Sequence, residues 1–137
     1  MDVNLSKFLE APDIASLKGE YFLKRLGVTF AYGAMTDQQL SEYQNACMKP
    51  DFAGKKGAAR KSSILDFGKF KKTVIANHVI EPNIADPEFL KKGGWALPSE
   101  FIDAKLTPGE VLDLYQGINS LSGFEDSLDD DIEDAKN

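Results

Sequence analysis

The 137 residues are enough for one domain, and a hydrophobic fraction of 42% suffices for a single core. The net charge of −6 sits entirely in residues 125–137, where seven acids face one base, Lys136; residues 1–124 carry 15 acids and 15 bases. A neutral body with an acidic end does not predict a nucleic-acid surface. The lone cysteine, Cys47, excludes an internal disulfide framework. No secretion signal opens the chain and no run approaches the ~20 apolar residues of a membrane helix, so a soluble, cytoplasmic protein is expected.

Leu5, Phe8 and Leu9 fall at i, i+3, i+4 in a segment that ends at Pro12. They predict one apolar stripe on a helix too short to be stable alone. From Glu20, EYFLKRLGVTFAYGAMT predicts a hairpin of about 20–25 with 28–34, turning near Gly27. Two strands with no third need a helix layer beneath them. Thr36 and Gln39 then form a capping-box pattern flanked by Met35 and Leu40, which predicts a helix over 37–48 with Leu40, Tyr43 and Cys47 inward.

Residues 50–61, with glycines and four bases and no periodicity, read as a loop. A helix follows, capped by Ser62 or Ser63 and ending before Pro82, with Phe67, Phe70, Val74, Ile75 and Val79 on its core face. Asp86-Pro87 starts a short helix that Gly93-Gly94 closes. LPSEFIDAKL predicts another, with Phe101, Ile102 and Leu106 inward.

In LTPGEVLDLYQGINSLSGF the glycines suggest either a ligand-cradling loop or helix punctuation. Thr107, Pro108 and Glu110 make a capping box, Val111, Leu114, Tyr115, Ile118 and Leu121 recur at helical spacing, and Gly123 suits the exit. A phosphate loop needs a preceding strand and a lysine at the phosphates, so punctuation is the reading. GKKGAARKSS, 54–63, has an anion-binding look but departs from the Walker pattern and reads as a solvated basic loop.

His78 and Cys47, each the only one of its kind, supply neither a zinc cluster nor a persuasive catalytic pair. His78 is expected to serve packing or a satisfied surface hydrogen bond. The acids of 125–137 lack the loop glycine and terminal glutamate spacing of a calcium loop and read as a disordered tail. Trp95, between glycines and a proline, is expected to plug the core, with a partner-binding role as the alternative.

The expected architecture is α+β and mostly helical: an arm at 1–19, a single domain over 20–124 with a small N-terminal hairpin on about five helices, and the tail at 125–137.

The order of NLSKFLEA, AMTDQQLSEYQNAC, HVIEPNIADPEFL and LPSEFIDAKLTPGEVLDLYQGINSLSGF resembles the XkdN-like tail assembly chaperones of PBSX- and skin-type prophages in Gram-positive bacteria. The resemblance covers most of residues 4–124. Its most specific parts are Glu81-Pro82 followed by Asp86, and Leu106 with Pro108-Gly109-Glu110 followed by Ile118-Asn119 and Gly123-Phe124. The basic stretch at 54–61 and the tryptophan of GGWALP depart from the pattern.

The resemblance implies a non-catalytic protein, with no cofactor or metal, that binds the tape measure protein, keeps it soluble during tail assembly and is absent from the finished tail. The tail tube protein and a second copy of the chain are further candidate partners; nucleic acid and membrane are not. Leu5, Phe8 and Leu9, as an arm docking on a neighbouring subunit or client, and Trp95 and Phe124 are the candidate contact residues. The alternatives are a structural component retained in the tail, or a small anion- or nucleotide-binding regulator using 54–63.

Overall fold

The computed structural model describes residues 3–51 and 63–124. The basic loop at 54–61 and the acidic tail, with the readings attached to them, lie outside the described residues.

Helix α1 (Val3–Glu10) is followed by a 3-10 turn (Ile14–Ser16) and then by strands β1 (Lys18–Leu23) and β2 (Val28–Gly33). These two pair antiparallel from Lys18↔Gly33 to Leu23↔Val28. Gly27 takes a left-handed φ of 68° in the intervening turn, a conformation that costs glycine little. The pleat turns Tyr21, Leu23, Phe30 and Tyr32 to one side, where Leu23, Phe30 and Tyr32 are buried.

Helix α2 (Asp37–Ala46) starts at the expected capping box, in which Gln39 N donates to Thr36 Oγ1 and Thr36 N donates to Gln39 Oε1. It stops two residues short of the expected end, because Met48–Pro50 forms strand β3, paired with β4 (Ser63–Leu65).

This small sheet also corrects the start of the next helix. Ser63 is engaged in β4, and α3 (Phe67–His78) is capped instead by Asp66, whose side chain accepts from Lys69 N. At its other end the helix gives way to β5 (Val79–Glu81), where β-branched Val79 and Ile80 turn extended before a cis Glu81–Pro82 bond. Strand β5 pairs with β2, Tyr32 opposite Val79, so the hairpin does have a third strand and the sheet runs β1-β2-β5. A three-residue strand fused to a helix carries no period of its own, so helical spacing through Val79 masked it.

The remaining helices are α4 (Pro87–Gly93), α5 (Pro98–Lys105) and α6 (Pro108–Leu121). Gly94 ends α4 at a left-handed φ of 79°. Phe101, Ile102 and Leu106 are buried as expected, and α6 turns Val111, Leu114 and Ile118 into the core. The result is a mostly helical α+β fold, in which α6 lies against α3 and β1 and its stripe completes a core with Leu23, Phe70, Val74, Ile75 and Ile84.

His78 is the one buried polar side chain among the described residues. Its Nε2 lies 2.8 Å from the Tyr43 hydroxyl, and the backbone at Gly33 and Ala34 also hydrogen-bonds the ring. The ring is thus hydrogen-bonded as expected, but it is buried and packed edge-on to Tyr43, not at the surface. Burial pushes its pKa below the ordinary 6.5 despite the backbone bonds, which act upward. The unfolded chain then binds the proton more readily, so the contribution of His78 is complete above pH 6.5 and is lost as pH falls below it. The wild-type melting temperature should fall on acidification through this range, and His78→Gln should flatten that slope; an unchanged slope would contradict the assignment.

Candidate partner-binding surface

Three of the five candidate residues sit on α1. Leu5, Phe8 and Leu9 share its apolar stripe and are 51%, 80% and 69% exposed. None of the three belongs to the core or packs against it. A free eight-residue helix is far below the ~12–15 residues at which isolated helices become even marginal in water. An apolar stripe on such a helix is explained by something that covers it.

Trp95 lies elsewhere, in the connector from α4 to α5. Its ring is edge-on to Phe101 at 5.1 Å and tilted against Phe89 at 5.8 Å, and it packs against the core while remaining partly exposed. The space it fills exists because residue 93 has no side chain: a Cβ on Gly93 would run into the Trp95 six-membered ring. Gly93-Gly94 is thus a room-maker followed by a helix exit. Gly93→Ala should expel the indole, seen as a red-shifted, more quenchable tryptophan emission; an unmoved spectrum would contradict this packing. Phe124, just past α6, is 47% exposed, and its backbone N–H donates to the Asn119 carbonyl as the chain leaves the helix. The five candidates are therefore carried by three separate segments, of which only α1 groups several apolar residues on one face.

Two features escaped the sequence reading. One is a groove on the outer face of α3, lined by Lys69, Lys72, Ala76, Leu97 and Pro98 and enclosing about 640 Å³. It continues past Lys72 into a smaller hollow of about 350 Å³ over Leu106, Pro108 and Val111. Between them Lys72 Nζ and Asp103 Oδ1 pair at 2.6 Å. Grooves depend on which helices meet, which no local pattern states.

The other is a clamp at the N-terminus of α6. Arg25, in the hairpin turn, grips both carboxylate oxygens of Glu110 at 2.8 and 3.0 Å and donates to the Lys105 carbonyl. Glu110 also closes the capping box by accepting from Thr107 N. These donors, Arg25 foremost, hold its carboxyl at about 2 instead of the ordinary 4.5. What the clamp adds to stability is present above pH 4.5 and is lost as pH falls toward 2. Glycine and proline around Thr107 are thus helix punctuation, and the glutamate among them also ties the helix to the hairpin.

Among the described residues no group of three or more His, Cys, Asp or Glu is placed to hold a metal ion. No helix among them is long and apolar enough to cross a membrane.

The fold is similar to that in the crystal structure of the protein YqbN, with a TM-score of 0.61, 18% sequence identity, and 91% of this chain and 100% of that one covered. At that identity the likeness is one of fold between two different sequences. No curated protein sequence matches the chain. The model of the phage XkdN-like tail assembly chaperone family matches residues 5–136, nearly the whole length. The chain belongs to the phage XkdN-like tail assembly chaperone family.

Proposed function

We propose that this chaperone binds the tape measure protein, keeps it soluble in the host cytoplasm until the tail tube polymerises around it, and leaves before the tail is finished. The single observation that carries this reading is the apolar face of α1, exposed and outside the core in a member of a tail assembly chaperone family. A tape measure protein is long and helical, and an amphipathic helix offers it an apolar stripe at matching spacing. The role needs no catalysis: a holdase works by covering apolar surface that would otherwise self-associate. The acidic residues of 125–137 add net charge to the complex and so favour its solubility.

Affinity purification of the tagged full-length chain, co-expressed with the tape measure protein of the same tail, tests the reading. The tape measure protein should co-purify, and mass spectrometry of finished tails should show this chain missing. Its presence there at the copy number of a tube subunit would overturn the chaperone reading in favour of a structural component.

A further inference from the structure

We propose that the chain forms a two-fold dimer through the free edge of β1, which pairs antiparallel with β1 of a second copy about Phe22 and joins the two sheets into one of six strands. This goes beyond the client reading and does not depend on it.

The sheet runs β1-β2-β5, so β1 and β5 are its edges. Strand β5 has three residues and leads into Pro82, which has no N–H to offer a further strand. Strand β1 has six, and among the described residues no hydrogen bond from outside the hairpin reaches its backbone. The Tyr32 hydroxyl of β2 donates to the Glu20 carbonyl at 3.4 Å, which leaves that oxygen a second lone pair. Unpaired backbone along an edge is a template for another strand. Apolar surface accompanies it: at the same end of the hairpin Phe22 is 58% exposed and Leu26 55%.

The charges along β1 select a second copy as the occupant. In one continuous antiparallel sheet, facing residues lie on the same side, so the two-fold axis passes through a residue that pairs with itself. Lys18, Glu20 and Phe22 lie on the outer side, away from buried Leu23, and Lys24 continues the alternation at the first residue of the turn. An axis at Glu20 would oppose two glutamates, and one at Tyr21 would oppose Lys18 to Lys24. At Gly19 the charges match, but Phe22 would face Ser16 in the 3-10 turn and its ring would stay uncovered. At Phe22 the two rings meet, and Glu20 faces Lys24 of the second copy on both sides of them. Glu20 and Lys24 are exposed, and among the described residues neither has an ion pair in its own chain, so dimerisation breaks none. Opposite charges facing across a strand pair favour it, and like charges oppose it.

Analytical ultracentrifugation of the full-length chain tests this, with Glu20→Lys and Lys24→Glu variants whose circular dichroism melts match the wild type. The wild type should be a concentration-dependent dimer. Each variant alone turns both cross-strand ion pairs into like-charge contacts, and its dimerisation should weaken by roughly ten-fold. An equimolar mixture of the two should recover the wild-type dimer. In the mixed pair one strand presents a lysine at positions 20 and 24 and the other a glutamate, so both contacts again join opposite charges. A wild type that stays monomeric at its highest soluble concentration would overturn the proposal. So would a dimer indifferent to either variant, or a mixture no better associated than its components.

Discussion

Gly117→Ala should destabilise the protein by up to about 2 kcal/mol, although alanine is the better helix former. Gly117 sits inside α6, where helix propensity alone favours alanine by ~1 kcal/mol. In the fold, a Cβ at this position would stand 2.5 Å from the Tyr32 hydroxyl oxygen and 2.9 Å from the ring carbon that bears it. The ring has nowhere to retreat. On its other side it lies over Gly19, where an added Cβ would be 2.6 Å from Cε1, and Tyr32 is buried. Overpacking of a well-filled core typically costs ~1–3 kcal/mol, which outweighs the propensity gain. Chemical denaturation gives the sign directly, and a more stable Gly117→Ala would contradict the packing. A double-mutant cycle sharpens it: Tyr32→Phe removes the 2.5 Å clash, so part of the loss should be recovered in the double variant.

The second large effect concerns the arm. Leu5→Ser, Phe8→Ser and Leu9→Ser combined should leave the melting temperature within about a degree of wild type, since surface substitutions away from core contacts change stability by less than ~0.5 kcal/mol. None of the three packs against the core. The same triple variant should lose most of the tape measure protein that the wild type retains on co-purification. Folding and client binding are thereby separated: a variant that melts normally yet holds no client places the contact on α1. Full retention would move the client contact to the body of the protein.

Much of this fold could be read from the sequence because its helices announce themselves locally. Thr36 with Gln39 and Thr107 with Glu110 form their capping boxes as written in the chain, and Asp86-Pro87 with Gly94 bounds α4. What the sequence did not disclose depends on distant partners. Strands β3, β4 and β5 are three residues each, too short for a period, and exist only through pairing with residues that lie elsewhere in the chain. The cap of α3 passed to Asp66 because Ser63 is committed to β4.

The glycines show the same limit. Gly94 and Gly123 end helices through positive φ, a local property. Gly93 and Gly117 are required by a tryptophan two residues on and a tyrosine 85 residues away, and only the assembled structure reveals the latter. Among the candidate contacts, the stripe of α1 was legible as helical spacing. The groove on α3 and the Arg25–Glu110 clamp were not, since each joins elements from different parts of the chain.

The central claim, that this member of the family keeps the tape measure protein soluble, is tested most directly by expressing that protein with and without the full-length chain and measuring its soluble fraction. The account predicts that the tape measure protein is largely insoluble alone and largely soluble, in complex with the chain, when the two are made together. A tape measure protein equally soluble in both cases would contradict it.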